Sequence, residues 1–422
     1  MKVRYTSNGG HVADATRITK VWTDNDGVQH MSIMVDEKTG RHSEIDVVAS
    51  DVSEPMPDPD PAPIPEPEPD PIPDPDPVPN PYPTPVPPPQ TGTVGRRLLP
   101  DVPATAQSLA EVKSQLKAGQ NVAVAAGVNL GQLTLNASDV PNPGVLVRSA
   151  QMGHPAVITG MKLSGVDGLH VQGLEMATDP AGKKEHHEFG NIDNCRNLTI
   201  TDMNIHGDGL YNFMDVDAVP YTTLEAANAK QGGFGLHLRG CHDVKLLHNE
   251  ISNMWKGIMV NGSQRVEVAH NHLHNQRSDG INFTIVTDYH QHDNLIEFFR
   301  GADNGDHHDF TAGFNHNGAS SNILIEDETY DTDFGCIAHP IWIVSTVAGN
   351  PWQNIKIRRV RATTAHVNGI GIFNCTGGEV VDCVLTAIPA NKKYPYNSSA
   401  KGIGTPRFVV PPSMAQSGNQ VI

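Results

Sequence analysis

Aliphatic residues recur at a fixed spacing between residues 235 and 283, with polar residues between them. Three successive passes read GLHLRGCHDVKLLHNEISNMWK, GIMVNGSQRVEVAHNHLHNQRSD and GINF. Equivalent positions lie 22 or 23 residues apart, as in Leu236, Ile258 and Ile281, Val244 and Val266, and the pairs His248-Asn249 and His270-Asn271. A repeat of this length predicts a solenoid, in which each unit packs against its neighbours. The repeated His and Asn pairs are interpreted as side-chain ladders that satisfy turn backbone groups.

The same strand patterns continue on both sides of this stretch. Aliphatic-x-aliphatic runs occur in LHVQGLEM, LTITDMNI, ILIEDETY and IKIRRVRA, and a Gly-aliphatic run occurs in GIGIF. Their separations are irregular, which indicates insertions between successive units. Because loops on a rigid scaffold often carry function, the sites are expected in these insertions.

The first part of the chain has a different organisation. Residues 1–52 contain short alternating runs separated by DNDG and EKTG, which predicts a small β domain of three or four strands. Its function is interpreted as an anchor or adaptor, and a self-contained β module is the alternative. Residues 53–92 are predicted to form an acidic polyproline II stalk, since every odd position from Pro55 to Pro87 is proline. Carboxylates without Arg or Lys disfavour an SH3-type ligand there.

A short helix is predicted at the start of the solenoid. SLAEVKSQLKAG has helical spacing at Leu109, Val112 and Leu116, with Ser108 as the N-cap and Gly119 just beyond the end. We expect this helix to cap the open end of the core. The solenoid is assigned to residues 93–395, and residues 396–422 are assigned to a C-terminal tail.

These residues resemble the pectate-lyase-like family of right-handed parallel β-helix proteins, through the pattern G-[LI]-x-[LV]-x-G-x-x-x-V-x-[LV]-x-x-N-x-[IL]. The resemblance covers roughly residues 105 to 390 and implies an all-β fold, a right-handed parallel β-helix solenoid. The order of β anchor, stalk and β-helix is similar to a bacteriophage tail-spike or fibre. That likeness implies a virion protein, commonly a homotrimer, which binds or degrades host surface polysaccharide. The segment after Ala390 is short for a C-terminal trimerisation domain.

Charge and cysteine content limit the partners and the cysteine chemistry that can be expected of this chain. The net charge is −17, and eight of the acidic residues lie between Glu54 and Pro89. Without a basic block, neither a nucleic-acid partner nor an anionic membrane is expected. The N-terminus lacks the apolar stretch of a signal peptide, and no run reaches membrane-spanning length. The five cysteines have no paired CxxC spacing and are expected to be buried free thiols.

Candidate chemistry is concentrated between Arg277 and His316. Four residues here are candidate catalytic residues facing a groove: Asp279, Asp306, His307 and Asp309. Three more are candidate substrate-binding residues: Arg277, Arg300 and His308. Hydrolysis of a glycan uses two carboxyl groups, whereas elimination from a uronate needs a cation, a base and an acid, and this segment could supply either set. The alternative is that GADNGDHHD is a turn-rich loop whose Asp and Asn residues hold turns.

Two other segments rich in acidic residues are alternative candidates for the site. HGDGLYNFMDVDAVPY offers Asp215, Asp217 and Tyr211 for sugar binding, and EDETYDTDFG offers five further carboxylates. Calcium is an open alternative at either group, but neither matches the spacing of a calcium loop, so no metal cofactor is expected. His272 and His274 are expected to be solvated.

Two classes of function follow. The first is a virion spike that binds, and in one version depolymerises, host surface polysaccharide. The second is a non-catalytic fibre or adhesin, and a cell-surface polysaccharide lyase or hydrolase of other origin is a third possibility. The sequence leaves the question of catalysis open.

Overall fold

The structure is a computed structural model that describes 94–178, 187–207, 233–299, 308–315, 318–331, 338–345, 351–388 and 404–422, with four earlier strands described as backbone only. These strands are Arg4–Thr6, Val12–Thr23, Gln29–Asp36 and His42–Val48. They form one antiparallel sheet in sequence order. The predicted polyproline stalk lies outside the described residues.

The remainder of the described chain is a right-handed parallel β-helix, which confirms the fold implied by the family resemblance. Each coil contributes one strand to each of three parallel sheets. The first sheet comprises Val122–Val124, Val145–Ser149, Leu169–Gln172, Arg196–Thr201, His242–Leu247, Gln264–Ala269, Thr287–His292, Ser321–Glu326, Trp352–Arg358, Cys375–Val381 and Ala415–Ser417.

The other two sheets repeat this arrangement. The second sheet comprises Val157–Ile158, Glu175–Ala177, Asn204–His206, Glu250–Ser252, His272–His274, Leu295–Glu297, Thr329–Asp331, Arg361–Thr364, Val384–Ala387 and Gln420–Val421. The third sheet comprises Gln132–Asn136, Gly160–Ser164, Gly190–Asp193, Phe234–Arg239, Lys256–Asn261, Asp279–Thr284, Asp309–Asn315, His339–Ser345, Asn368–Ile372 and Arg407–Val409. The last coil therefore lies in the segment that the sequence analysis assigned to a tail.

The core consists of aligned columns of inward-facing side chains. Leu236, Ile258 and Ile281 are paired in register on successive strands of the third sheet, and each is fully buried. Val244 and Val266 are paired in the same way on the first sheet. Because a parallel strand pair aligns equivalent positions, a fixed sequence period becomes a continuous apolar column. The predicted repeat is confirmed.

One helix, Leu109–Lys117, covers the N-terminal end of this core. Its Ser108 N-cap accepts a hydrogen bond from the Glu111 amide at 3.3 Å, and the Glu111 carboxylate accepts one from the Gln107 amide at 2.7 Å. Val112 and Leu116 are fully buried against the first coil. The predicted capping helix and its Ser108 cap are confirmed, and they protect apolar surface that the open end would expose.

A polar ladder runs along the short turns between the first and second sheets. Asn249 Nδ2 donates to Asn271 Oδ1 at 2.9 Å, Asn271 Nδ2 donates to Asn294 Oδ1 at 2.9 Å, and Asn294 Nδ2 donates to Glu328 Oε1 at 2.7 Å. The rings of His248 and His270 stack beside it with centroids 4.7 Å apart. The predicted His and Asn ladders are therefore confirmed. The ladder satisfies buried amide groups that would otherwise destabilise each coil.

Glu328 ends this ladder inside the core. Its carboxyl group is fully buried and also contacts Gln291, whose Nε2 donates to Glu328 Oε2 at 3.1 Å. Gln291 in turn contacts Tyr289 and Tyr330, which are buried in the same layer. Burial raises the pKa of Glu328 to about 8. One of the five carboxylates in EDETYDTDFG is thus an interior group that carries a proton at neutral pH.

Two further expectations concern cysteines and membranes. Cys195, Cys241, Cys375 and Cys383 are buried free thiols, as predicted, whereas Cys336 lies outside the described residues. Within the described part of the chain, no helix has the length and apolar character needed to cross a membrane.

Glu328→Gln is expected to flatten the pH dependence of stability. The ordinary pKa of this carboxyl is 4.5 and the folded value is about 8. Between these values the folded chain keeps a proton that the unfolded chain has lost, so the free energy of unfolding falls as pH rises, by up to about 1.4 kcal/mol per pH unit. Glutamine imitates the protonated acid and should remove this slope. Urea unfolding at about pH 5 and about pH 8 measures it.

Glu379→Gln is the matched control for that substitution. Glu379 contacts Arg358 on the half-exposed outer face, so its loss should leave the wild-type slope unchanged. Equal slopes in wild-type and Glu328→Gln proteins would show that Glu328 does not hold a proton in the folded chain.

Candidate functional site

The long connections of the β-helix are concentrated at one edge of the third sheet. Five of the segments outside the described residues, 179–186, 208–232, 300–307, 332–337 and 389–403, each join a second-sheet strand to the next third-sheet strand. By contrast, the turn from Leu247 to Glu250 is two residues long. Asp309 and His339 therefore each follow closely on an insertion, where the sequence predicted the site, whereas Lys256 and Asp279 follow short turns of three and four residues.

An ion pair joins the first residues of two adjacent third-sheet strands. Lys256 Nζ lies 2.5 Å from Asp279 Oδ2, and both side chains are largely buried, with 18% and 3% of their surface exposed. Asn282 Nδ2 also donates to Asp279 Oδ2, at 2.9 Å. The Asp309 amide and the Ser278 hydroxyl donate to Asp279 Oδ1, both at 3.2 Å. These four donors compensate for burial of the carboxylate and fix its orientation.

Cationic side chains surround Trp255 next to this pair. Lys256 Nζ lies 4.8 Å from the Trp255 ring centroid, and Arg277 Cζ lies 5.5 Å from it. Phe234 meets the same indole edge-on at 5.2 Å. Trp255 and Arg277 are both buried, so the two cations are held by cation–π contact as well as by charge.

An Asp–His pair occupies the next two strands of the same sheet. Asp309 and His339 are in register, and His339 Nδ1 lies 2.7 Å from Asp309 Oδ1. The Asp309 side chain is fully buried and that of His339 is 6% exposed. A carboxylate at Nδ1 holds the proton on that nitrogen, so Nε2 is the nitrogen that exchanges protons.

His366 completes this cluster from the following coil. Its ring centroid lies 3.6 Å from that of His339. The Asn368 amide donates to His366 Nδ1 at 3.1 Å, and the His366 amide donates to Thr364 Oγ1 at 2.9 Å. Because Nδ1 accepts a hydrogen bond, the ring proton of His366 lies on Nε2. The two histidines therefore present opposite tautomers, and one can accept a proton while the other donates one.

Half-exposed aromatic rings lie beside the histidines on the outer face. Trp342 stacks on His339 with centroids 4.6 Å apart and contacts Phe373 at 4.7 Å. A Cβ at Gly371 would approach Trp342 Cε3 to 2.9 Å, so the glycine makes room for the indole. Exposed aromatic faces beside hydrogen-bonding groups are suited to sugar rings.

A second polar cluster lies on earlier coils of the same sheet. Arg239 Nε donates to Asp193 Oδ1 at 2.7 Å, and His237 Nδ1 lies 2.9 Å from Glu188 Oε1. His237 Nε2 is buried without a hydrogen-bond partner, and burial lowers the pKa of His237. Charged and hydrogen-bonding groups thus extend along the sheet beyond the Asp309–His339 pair.

The structure brings together four of the predicted site residues. Asp279 and Asp309 begin adjacent strands, Arg277 lies just before the first of them, and His308, which is buried, precedes the second. The other six predictions lie outside the described residues, and they are Asp306, His307, Arg300, Asp215, Asp217 and Tyr211. Those six stay predictions.

Sequence reasoning missed Lys256, His339, His366 and Trp342. Lys256 could have been found, because it precedes Gly257-Ile258 as Asp279 precedes Gly280-Ile281 in the repeat. His339 occupies the same position of its strand. Pro340 stands where the earlier strands have glycine, so the sequence does not show the repeat there. His366 belongs to a turn and carries no repeat signal. These residues meet only because the coils stack in register.

The acidic group at residues 326–333 does not gather carboxylates around a cation in its described part. Glu326 and Asp327 both accept from Arg359, at 2.8 and 2.7 Å, and Glu328 faces the core. Two other sets of described residues have the geometry of metal ligands, namely Glu250 with His272 and His274, and His270 with His292 and Asp293. Neither belongs to the third sheet.

Comparison with known proteins gave a family match over part of the chain and several solved structures of low similarity. A family model described as a right-handed β-helix region matches residues 190–339. The chain is similar to an alginate lyase from Paenibacillus sp. str. FPU-7, at 13% identity and TM-score 0.39, over 75% of this chain and 97% of that one. None of the curated proteins matches the sequence.

Two further solved structures share this level of similarity. One is a GH87 alpha-1,3-glucanase from Streptomyces thermodiastaticus strain HF3-3, at 13% identity and TM-score 0.37, over 78% of this chain and 69% of that one. The other is PfbA, a surface adhesin of Streptococcus pneumoniae, at 12% identity and TM-score 0.41, over 75% of this chain and 90% of that one.

Lys256→Met is expected to reduce the free energy of unfolding by roughly 3 kcal/mol, because it leaves the buried Asp279 carboxylate without its cation. Lys245→Met is the control, since Lys245 Nζ lies 2.7 Å from Glu267 Oε2 but its side chain is 56% exposed. Loss of that pair should cost less than about 1 kcal/mol. Equal losses in urea unfolding would mean that Asp279 is not stabilised by Lys256.

Proposed function

We propose that the outer face of the third sheet binds an acidic polysaccharide and cleaves it by proton transfer at His339. The observation that carries the proposal is the Asp309–His339–His366 cluster beside Trp342, in which one imidazole is set to accept a proton and its neighbour is set to donate one. The aromatic face supplies binding and the histidines supply acid–base chemistry.

Elimination suits this arrangement better than hydrolysis. Hydrolysis by two carboxyl groups needs both to face the glycosidic bond. Asp279, however, accepts four hydrogen bonds from the protein, and Asp309 is fully buried against His339. Neither carboxylate is placed to attack a sugar or to protonate a leaving group. Asp309 acts as a positioning residue for the imidazole.

The proposed step balances between the two histidines. His339 Nε2 removes the proton next to a uronate carboxylate, and the electron pair of that C–H bond forms a carbon–carbon double bond. The glycosidic C–O bond breaks, its oxygen takes the proton from His366 Nε2, and the proton now on His339 passes to His366, whose ring centroid lies 3.6 Å away, so that both rings end neutral. Lys256 begins the strand three places before that of His339 in the same sheet, so in this proposal its ammonium group binds the carboxylate of another sugar unit of the polymer.

Binding without cleavage is the second candidate function. It is favoured by the low exposure of the pair, since the side chains of His339 and Asp309 are 6% and 0% exposed. On this view the cluster supports Trp342 and Phe373, and the face acts as an adhesin surface. The two candidates share a binding surface and differ in whether His339 reaches the substrate.

We further propose that the chain is a virion spike or fibre subunit. In this proposal residues 1–52 attach to other virion proteins, residues 53–92 act as the spacer, and the β-helix engages a host surface glycan. A homotrimer is the expected assembly. Support comes from the order of the segments and from the alternating proline pattern in the sequence.

His339→Gln is expected to lower oligosaccharide release at least about 100-fold, because the variant lacks the base. Binding should be retained, because the aromatic face of Trp342 and Phe373 is unchanged. Alginate, polygalacturonate and a neutral glucan are the probes, and ultraviolet absorbance reports a new unsaturated uronate. Trp342→Ala should weaken binding roughly tenfold or more. His290→Gln, on the first-sheet face, should behave as wild type.

The results separate the candidates. Release that survives His339→Gln would contradict the assignment of the base. Binding that depends on Trp342, without release from any probe, would support the adhesin. Binding to none of the three polymers would oppose both versions.

Virus particles purified from cells that produce this protein are expected to contain it, and its native mass should be three times that of the chain. The check is immunodetection across a density gradient, followed by light scattering of the purified full chain. Recovery in the cell-envelope fraction alone would contradict a virion location.

A further inference from the structure

The outer face of the second sheet carries a cluster that the third-sheet site does not use. His272 and His274 occupy the first and third positions of one strand, so both point away from the core. Glu250 is paired in register with His272 on the preceding coil, and Glu297 is paired with His274 on the following coil. Two imidazoles thus lie between two carboxylates from neighbouring coils.

These histidines were expected to be solvated, and they are partly exposed but also contact carboxylates. Their side chains are 26% and 18% exposed, and the two rings lie 4.6 Å apart. His274 Nε2 lies 3.4 Å from Glu250 Oε1, and His272 Nε2 lies 2.9 Å from Glu297 Oε1. Each histidine thus contacts the carboxylate diagonal to it on a neighbouring strand, and not the carboxylate paired with it in register.

Ligand spacing in this cluster matches a tetrahedral ion. One ligand atom each from Glu250, His272 and His274 lie within 4.8 Å of one another. Nitrogen and oxygen atoms that each lie about 2.1 Å from a tetrahedral zinc ion are about 3.4 Å apart. The separation of His274 Nε2 from Glu250 Oε1 is 3.4 Å. Little movement is needed to place an ion between them.

A second carboxylate lies where a metal site requires it. Glu297 orients the His272 ring, as outer carboxylates orient metal-bound histidines. Arg96 is the nearby cation, but its guanidinium donates to the carbonyls of Asp202 and Met152 on earlier turns.

A segment before the cap helix forms one wall of this cluster. The Gly95 amide donates to the His270 carbonyl at 2.8 Å, and a Cβ at Gly95 would lie 3.2 Å from His272 Cβ. The positive φ of 79° at Gly95 also favours glycine. The wall restricts the solvent around His272 and helps to exclude a hydrated surface ion.

We infer that Glu250, His272 and His274 bind a divalent transition-metal ion of the zinc class, with Glu297 orienting His272. Two imidazoles and one carboxylate favour such an ion over calcium, which prefers oxygen ligands alone. Three protein ligands leave a position for water or for a further ligand. The ion links adjacent coils, because Glu250 and the two histidines belong to different turns of the β-helix.

The other set of potential ligands is less favourable. His292 is already placed between two carboxylates, with Nδ1 2.8 Å from Asp293 Oδ2 and Nε2 3.3 Å from Glu267 Oε1. Glu267 is also held by Lys245. The ring of His270 is stacked on that of His248. An ion there would have to replace more of the existing contacts.

Zinc titration of the full chain tests the inference, with calorimetry and competition against a chromophoric chelator at neutral pH. One equivalent of Zn²⁺ should bind and raise Tm, whereas Ca²⁺ at the same concentration should do neither. His272→Gln and His274→Gln should each weaken zinc binding at least about 100-fold. Circular dichroism of each variant without zinc confirms that the fold is retained.

His206→Gln is the matched control. His206 lies on the same sheet and pairs with Glu175 at 3.1 Å, but it belongs to neither set of potential ligands. Zinc affinity should be unchanged in this variant. Absence of stoichiometric binding in the wild type, or affinity unaffected by both His272→Gln and His274→Gln, would overturn the inference. If only His292→Gln lost zinc binding, the inference would be overturned in favour of the set formed by His270, His292 and Asp293.

Discussion

In-register stacking of one coil on the next is the constraint on which the rest of this structure depends. Parallel strands place equivalent residues one above another, so every position of the repeat becomes a column along the solenoid. Leu236, Ile258 and Ile281 form such a column inside, and Asn249 and Asn271 form one at a turn. A shift of one residue would exchange inward and outward side chains over a whole coil. The apolar column and the amide ladder therefore enforce the same register.

The candidate site residues depend on that register because none of their pairs is assembled locally. Lys256 and Asp279 come from successive coils, as do Asp309 and His339. Burying a charged group is unfavourable unless a partner is in place, so the scaffold must be formed before these side chains can be held. The arrangement is stable because each buried carboxylate meets its donor on the neighbouring strand. A rigid stack also keeps the histidine rings at fixed separation, which acid–base chemistry requires.

Fold and site differ in how far the sequence predicts them. The period of 22 residues, the capping helix at Ser108 and the stacked histidines could all be read from the chain, because each is a local or strictly periodic signal. Asp279 and Asp309 were named as candidates from residue type and from the break in the repeat, and the structure places them on adjacent strands. His339 and His366 could not be found in this way, since variable insertions separate them from the preceding coils. The place of Glu328 could not be predicted for a related reason: only the stack shows that it continues the asparagine ladder inward.

The histidines show most clearly that the column, and not the local sequence, determines the chemistry. In the run from His270 to His274, His270 stacks on a ring of the preceding turn, Asn271 continues the buried ladder, and His272 and His274 face carboxylates of two other coils. Burial lowers the pKa of His270, whereas the next two histidines contact the carboxylates of Glu297 and Glu250. Five consecutive residues thus have three different electrostatic environments. A β-helix can therefore carry separate chemistry on each face, since the coil above and the coil below supply the partners that the local sequence lacks.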